Sequence, residues 1–535
     1  MSSSTAPKPH AGDNGTAYIN GRIYTVNHQR PWAEALAVSS DGVFTAVGSN
    51  TEIQNKARED NLIVSDLQGR FIMPGIHDAH VHMLFSGIAL TSNVPLPEQG
   101  LTNDNLSEEL RKGSCACKFA NVNEDWLMAN TYMVEDFDRK ALDSDFPDTP
   151  VLIRGGAGHS AFLNSSALKR AGYSVDAEPD AQGTYYARDS DGRMTGEVAE
   201  NGLNKVMTTL PQPGLRHVKQ VLKAAQQKLH AAGVTSCQEA SANSLSLQGL
   251  QALESTNMLK LEIFPHIVYA PDWIGEENVE SLHSLIDRAE SFRSSHVDTR
   301  FVKIILDGVP LAPYWTHAAL KPEDGKVDES KLLMLNVAEA VRKYDERGMS
   351  MKIHCTGTGA TRTVLDAYAA VRKSNTNGPR HEIAHCSGVH DDDYDRFRAL
   401  NVTAEMSPAF FFDHPITHAN KELMNWNFAK MLASNAHMTI GSDWGAGPSP
   451  DLLPCLDSTI EIVGQGDRQR GGETMCRMLT LAGAEAVGRE KDLGTIEVGK
   501  KANFIAVDQD LSKGKFKGAS VLTTWFEGDI VYEKD

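Results

Sequence analysis

The sequence has few cysteines, lacks long apolar runs and is short of positive charge, and each shortage excludes a class of protein. Its seven cysteines are spread without regular spacing over 535 residues, which predicts reduced thiols in a cytoplasmic protein rather than a disulfide framework. No run of about 18 apolar residues occurs, so no membrane-spanning helix is expected. With 52 basic against 70 acidic residues, the net charge is −18, which argues against a nucleic-acid-binding or polybasic membrane-binding surface.

The first residues differ in composition from the rest of the chain. Residues 1–15 are rich in Ser, Pro and Gly and contain no apolar segment of the kind found in secretory signals, so a disordered tail is predicted. The whole chain is 41% hydrophobic and 23% charged, which is ordinary for a globular protein.

Both ends of the remaining chain have the pattern of short β-strands. Near the start, apolar runs are broken by Asn20-Gly21 and Asp41-Gly42, which are hairpin-turn signals. Near the end, further β-rich runs cover 504–507, 521–526 and 530–532. Neither set has enough strands to bury both of its faces. We therefore predict one composite β-sandwich built from residues 16–70 and 490–535.

The middle of the chain alternates short apolar runs with amphipathic helices, which is typical of a parallel α/β fold. Eight strands are predicted, at residues 71–73, 234–237, 261–268, 301–306, 350–353, 381–384, 402–405 and 438–440. This pattern predicts a (β/α)₈ TIM-type barrel formed by residues 71–84 and 214–489. Residues 85–213 are too many for a connecting loop and are predicted to form an inserted subdomain after the first strand.

His80 and His82 are the first candidate metal ligands. Residues two apart on a strand point to the same face, so the pair could hold one ion. On the pair alone, two polar residues at a strand end are the more ordinary explanation. The apolar run before them favours the metal site, because barrel enzymes place their chemistry at the carboxyl ends of strands.

Four more candidates lie on later strands or just beyond them. Lys303 stands inside the apolar run 301–306, where a lysine is rarely buried without a partner. It is either a lysine on an edge strand with its amine in solvent, or an amine that is carboxylated to a carbamate bridging two metals. His354, His385 and Asp443 follow strands directly. Any one of these could be an ordinary core polar group, but six such residues on strands one, four, five, six and eight indicate a metal site.

Two segments that contain or flank these residues resemble a known family. Residues 74–82, Pro-Gly-Ile-His-Asp-Ala-His-Val-His, and residues 493–504 are similar to the first-strand signature and a closing sandwich strand of the metal-dependent amidohydrolase superfamily. The resemblance extends from Tyr18 to Tyr532. Within the superfamily, residues 158–165 and 195–200 resemble the branch that includes N-substituted formamide deformylases. The sequence departs from that branch at Val309-Pro310, where a serine-containing turn is usual.

The resemblance implies two divalent metal ions, expected to be zinc, with iron, manganese or cobalt as alternatives. It assigns the first metal to His80, His82 and Asp443, the second to His354 and His385, and the bridge to carboxylated Lys303. A metal-bridging hydroxide would attack an amide or cyclic-amide carbonyl while Asp443 shuttles the proton to the leaving amine. Two alternatives stay open: a mononuclear-metal deaminase or decarboxylase on the same barrel, and a non-catalytic binding protein.

Five further residues are predicted to contact the substrate: His159, Glu200, Trp315, Phe411 and Trp444. The first two lie in the insertion, and the aromatic residues lie beyond strand ends, which favours a small-molecule substrate with an apolar or aryl group. The alternative for the insertion is structural, with Asn164 capping a helix and His159 hydrogen-bonded nearby. We also expect a homo-oligomer, without nucleic-acid or membrane partners.

Overall fold

The structure is a computed structural model that describes residues 14–97, 100–116, 125–407 and 426–534. Phe411 and nearly all of the predicted N-terminal tail lie outside the described residues. The substrate contact of Phe411 and the disorder of the tail therefore stay predictions.

The central element is a parallel sheet of eight strands, paired in chain order. These strands are Ile76–Val81, Val234–Ala242, Glu262–Ala270, Phe301–Ile305, Ser350–Cys355, Glu382–His385, Thr403–Met406 and His437–Ile440. Just beyond the eighth strand, the Asp443 amide donates to the His80 carbonyl at 2.8 Å, and the His82 amide donates to the Trp444 carbonyl at 2.9 Å. These bonds join the last strand to the first, so the sheet is a nearly closed barrel, and the predicted parallel barrel is confirmed.

The prediction that residues 71–73 form the first barrel strand is wrong. Phe71–Pro74 pairs antiparallel with Phe504–Val507 in a different sheet, and the barrel begins with Ile76–Val81. The chain passes from one sheet to the other at Gly75, where an added Cβ would lie 2.1 Å from the Thr235 hydroxyl oxygen. The barrel strand is buried but carries His and Asp side chains, so its apolar pattern is weaker than that of the sandwich strand before it.

Strands from the two chain ends form two further sheets. The four-stranded sheet contains, in spatial order, Phe44–Gly48, Ala35–Val38, Thr16–Ile19 and Ile63–Asp66. The six-stranded sheet contains Asp529–Glu533, Val521–Phe526, Phe504–Val507, Phe71–Pro74, Arg22–Tyr24 and Trp32–Ala33. Tyr18, Leu36, Phe504 and Trp525 share one apolar cluster, so residues from the two ends of the chain are buried together.

The residues after the first barrel strand form sheets of their own. The larger contains, in spatial order, Thr184–Arg188, Met194–Glu200, Ser160–Leu163, Val151–Gly155, Leu127–Asn130 and Val94–Pro95, and the smaller pairs Leu101–Thr102 with Val134–Glu135. Leu163 and Val198 of this insertion share an apolar cluster with Trp273 and Ile305 of the barrel. Because Ile305 ends the fourth barrel strand, this packing holds the insertion over the carboxyl ends of the strands.

The α-helices follow the apolar spacing of the sequence, as Leu215–Ala231 shows by burying Val218, Leu222, Ala225 and Leu229. The described α-helices are Asn50–Glu59, Met83–Thr91, Leu106–Ala116, Lys140–Asp143, Ser165–Arg170, Asn204–Met207, Leu215–Ala231, Ser244–Glu254, Asp272–Gly275, Val279–Asp287, Val337–Glu346, Thr358–Arg372, Tyr394–Ala399, Phe428–Ala433, Ile460–Val463, Arg468–Met478 and Leu481–Ala486. Short 3₁₀ helices are Gly156–Gly158, Asn201–Leu203, Ala289–Phe292, Glu329–Lys331, Asp391–Asp393, Pro454–Thr459 and Leu511–Lys513. None of the helices in the described ranges is long and apolar enough to cross a membrane.

Candidate metal centre

All six predicted metal ligands line one cavity at the carboxyl ends of the barrel strands: His80, His82, Lys303, His354, His385 and Asp443. The structure therefore brings together residues that lie as far apart in the sequence as His80 and Asp443.

The three residues assigned to the first metal lie close together. Asp443 Oδ1 is 3.3 Å from His82 Nε2 and 3.7 Å from His80 Nε2. One candidate ligand atom from each of the three side chains lies within 4.8 Å of the others. A single ion could thus contact all three side chains after small rotamer adjustments.

The remaining candidates adjoin this group. The ring centroids of His354 and His385 are 4.4 Å apart, and those of His80 and His385 are 4.8 Å apart. His385 Nδ1 is 3.9 Å from Asp443 Oδ2, and Lys303 Nζ is 3.3 Å from His80 Nε2. The lysine amine therefore stands among the imidazoles and does not extend to solvent, which argues against the edge-strand explanation.

Burial sets the protonation of these groups. It lowers the pKa of His80, His354 and His385 well below the usual value for histidine, so these rings are neutral and can act as ligands. Burial, followed by the positive charge of Lys352, also lowers the pKa of Lys303. Lys352 is its register partner on the next strand. A neutral amine is the form that reacts with carbon dioxide to give a carbamate.

This donor set fits divalent metal ions. Neutral imidazoles and a carboxylate are the ligands that zinc and similar transition metals prefer. The site is buried, with His80 and Lys303 each 1% exposed and Asp443 4% exposed, and polar groups buried this deeply need partners.

Comparison with known proteins gives the family. The model of the amidohydrolase family designated Amidohydro_3 matches residues 64–532. The chain belongs to the amidohydrolase family. Membership confirms the resemblance predicted from the sequence and makes the chain a hydrolase of carbon–nitrogen bonds.

Two distant relatives and one solved structure match nearly the whole chain. The putative amidohydrolase YtcJ of Bacillus subtilis is 23% identical, over 96% of this chain and 98% of its own. The N-substituted formamide deformylase of Arthrobacter pascens is also 23% identical, over 96% of this chain and 98% of its own. The crystal structure of an uncharacterised metal-dependent hydrolase from Pyrococcus furiosus is 22% identical with a TM-score of 0.68, covering 93% of this chain and 100% of that one. The structural likeness shows a shared fold.

The amidohydrolase centre contains one residue that the sequence interpretation missed, Glu405. It lies on the seventh barrel strand, fully buried, with Oε2 2.7 Å from His80 Nδ1. It forms a second group of candidate ligands with His80 and His385, again within 4.8 Å. Burial raises the pKa of the Glu405 carboxyl. The available signal was an ionisable residue inside a buried strand, the same anomaly that singled out Lys303.

The Nδ1 nitrogen of His82, like that of His80, has a hydrogen-bond partner. Its Nδ1 is 2.8 Å from the hydroxyl of Ser241, which donates in turn to Glu239 at 2.9 Å. Partners of this kind fix the tautomer and the orientation of a ligating histidine, so both histidines of the first strand are held in place.

His159 reaches the cavity from the insertion, whereas Glu200 lies behind it. The His159 ring centroid is 5.1 Å from that of His354, and its Nδ1 is 2.9 Å from Glu200 Oε2. Glu200 accepts a further bond from Thr316 at 2.7 Å and is absent from the described residues that line the cavity. Its backbone has φ 52° and ψ −129°, a conformation that is strained outside glycine. Asn164 caps the helix Ser165–Arg170, as the structural alternative predicted.

Neither of the two described aromatic residues predicted to contact the substrate, Trp315 and Trp444, lines the metal cavity. Trp315 is 37% exposed and is not among the described residues lining the cavity. The backbone turns at this residue, with φ 48°, and the next side chain, Thr316, points inward and donates to Glu200. Trp444 is buried and lines an adjoining cavity. Phe85, Trp273 and other apolar side chains supply the wall of the metal cavity. The predicted apolar lining is therefore present but comes largely from other residues.

Proposed function

We propose that this amidohydrolase binds two divalent metal ions and hydrolyses an amide or cyclic amide of a small molecule. The observation that carries the proposal is the convergence of all six candidate ligands on one buried cavity. The formamide deformylase among the relatives supports an amide as the substrate class.

The residues divide into two ligand sets. His80, His82 and Asp443 would hold one ion, His354 and His385 the other, and Lys303, as a carbamate, would join the two. Zinc is the metal we expect, with iron, manganese and cobalt as alternatives. Bound ions would lower the pKa of water and polarise the amide carbonyl.

Asp443 would move the proton. Its two oxygens face His82 and His385 across the cavity floor, where a carboxylate can accept a proton from the attacking water and release it to the leaving nitrogen. In the net reaction the carbon–nitrogen bond breaks, a carbon–oxygen bond forms, and water supplies the hydroxyl of the acid and the hydrogen of the amine.

His159 would hold the substrate from above. Burial acts to lower its pKa, but the charge and hydrogen bond of Glu200, together with the charges of Asp443 and Asp307, outweigh burial and raise it. A histidine whose pKa is raised in this way can, in its protonated form, donate a hydrogen bond to a carbonyl oxygen. Glu200 would then act through His159, without contact to the substrate.

A single-metal deaminase is the second candidate. The group His80, His82 and Asp443 is complete within 4.8 Å without His354 or Lys303, so one ion could be held by these three alone. The two candidates differ in the product released, which is an amine from an amide and ammonia from an amino-substituted ring.

The test is a hydrolysis screen with metal-loaded protein. N-formyl amines, N-acyl amines, dipeptides and lactams would be offered separately, and amine and carboxylate would be quantified together. We expect equimolar release from at least one amide class and no release after chelation or in Asp443→Ala. Release of ammonia from aminopurines, with no turnover of any amide, would contradict the proposal and favour the deaminase.

A further inference from the structure

A buried arginine, Arg154, lines the metal cavity although it is not a ligand. It lies near the end of strand Val151–Gly155 in the insertion, and its side chain is 8% exposed. It lines both the metal cavity and a second, adjoining cavity, together with Phe85 and Gly158. Arg154 therefore stands where the two cavities meet.

The guanidinium of Arg154 is held in place on two sides. Its Nη2 donates to Glu276 Oε1, and the plane of the group lies over the Phe85 ring, 4.6 Å from the centroid. Glu276 follows the short helix Asp272–Gly275 after the third barrel strand. The contacts fix the orientation of the guanidinium at the junction.

These contacts leave hydrogen-bonding capacity unused. An arginine side chain has five N–H donors arranged to match a carboxylate. In the part of the chain that the structure describes, Glu276 supplies the hydrogen bond made by this guanidinium. Glu276 compensates the charge of Arg154, but buried donors that remain unpaired are costly. Unused guanidinium donors at a cavity wall, arranged as a planar fork, therefore favour a ligand with carboxylate oxygens.

Much of the remaining cavity wall is apolar and would accommodate an apolar group attached to the anionic one. Trp273, Ile305 and Val309 line the same cavity as Arg154 and the metal-binding side chains. An amide at the metals, an apolar group along this wall and an anion at the junction would use each part of the lining.

We propose that Arg154 is a specificity-determining residue that binds a carboxylate of the substrate, so that the substrates are carboxylate-bearing amides such as N-acyl amino acids. This inference rests on the proposed amide hydrolysis. Glu276 would orient the guanidinium through Nη2, leaving the remaining donors to the substrate.

The kinetic test compares matched substrates that differ only in charge. N-acylglycines would be paired with the corresponding N-acylethanolamines, in which a neutral CH₂OH group replaces the carboxylate. We expect the native enzyme to prefer the carboxylate, and Arg154→Gln to lower kcat/KM for it by about 10- to 100-fold, the usual effect of losing a charged hydrogen bond. The change should appear in KM, with the neutral substrate unaffected.

Three further variants separate recognition from structure. Arg154→Lys keeps the charge but not the planar fork and should retain part of the preference. Glu276→Gln keeps Arg154 and should retain most of it. Arg170→Gln is the control, since Arg170 pairs with Asp125 on the exposed surface of the same insertion, and should behave like the native protein. If Arg154→Gln and Glu276→Gln lower activity on both substrates alike, the pair only ties the insertion to the barrel and the inference is overturned.

A binding measurement distinguishes failure of this inference from failure of the proposed function. The probe is 3-phenylpropionate, titrated calorimetrically into metal-loaded native protein and Arg154→Gln. We expect affinity to fall about 10-fold or more in the variant, even if no amide is turned over. Equal affinity in the two proteins would show binding at the metals alone and would overturn the carboxylate site, even if neutral amides are hydrolysed.

Discussion

His80 Nδ1 lies 2.7 Å from Glu405 Oε2, and both residues are buried inside the barrel. The pairing directs the other ring nitrogen of His80, Nε2, toward Asp443 and Lys303. Glu405 in turn accepts a bond from Ser407. The seventh strand, which supplies none of the predicted ligands, thus positions a residue of the first.

Replacing Glu405 by Gln should weaken metal binding. The amide can accept a hydrogen bond from Nδ1–H but carries no charge, so His80 becomes a less basic ligand, and loss of such a partner typically costs about 10- to 100-fold in metal affinity. Affinity would be measured by titrating metal into the chelator-treated protein. Glu485→Gln is the matched control. Glu485 Oε2 lies 3.0 Å from Nε2 of His437, which begins the eighth strand, and neither residue is among the described residues lining the cavity. Native affinity in Glu405→Gln would contradict a positioning role.

The position of Glu405 could be predicted from the sequence only in part. The strand 402–405 is predictable from its apolar pattern, but the direction of its ionisable side chain is not. In a closed barrel, the face of a strand that points inward depends on tilt and on register with both neighbours. The candidate ligands other than Lys303 are predictable because they stand at or near strand ends, where position alone specifies the edge of the barrel. Lys303 is predictable because a lysine inside an apolar run is unusual.

Two other differences have local causes. Phe71–Pro74 and Ile76–Val81 are adjacent strands in different sheets, and the more apolar of the two is the one outside the barrel. Trp315 was assigned to the pocket from its place after the fourth strand. Its left-handed backbone conformation, uncommon outside glycine, turns the side chain outward, and nothing in the residue type signals it.

Metal content provides the most direct test of the ligand sets. Elemental analysis should find close to two divalent ions per chain, and chelation should abolish activity, because the proposed nucleophile is a water activated by the ions. His354→Ala should reduce the content toward one ion. A native protein fully active with a single ion would move the assignment to the deaminase class.

Lys303→Ala should lose one metal and activity together, because the bridge between the ligand sets is removed. Added formate, acetate or propionate should partly restore both, since a short carboxylate can occupy the space of the carbamate. Lys303→Met, which has a similar volume but no nitrogen or oxygen ligand, is the control for packing. Full activity in Lys303→Ala would show that the lysine is only a strand residue.

An ion-pair cluster beneath the barrel predicts the pH dependence of stability. His296 and Lys501 lie 3.2 and 3.0 Å from Glu527. Although burial acts to raise its pKa, these partners lower it from 4.5 to about 2. Because the folded pKa is the lower one, the stabilisation is complete above pH 4.5 and is lost as the pH falls toward 2. Glu527→Gln should cost ~1–3 kcal/mol at neutral pH, with the difference in Tm narrowing below pH 4.5. A constant difference would contradict the pairing.

Asp443→Asn separates catalysis from metal binding. The carboxylate is proposed both to ligate a metal and to carry the proton, and an amide can do only the first, through its oxygen. The variant should therefore keep much of its metal while kcat falls by about 10²–10⁴, the usual contribution of a positioned acid–base group. Metal content and kcat would be measured on the same preparation, with Asp443→Ala as the comparison that should lose metal as well. Near-native turnover in metal-replete Asp443→Asn would show that another group moves the proton, and His159, which faces His354 across the cavity at 5.1 Å between ring centroids, would be the residue to replace next.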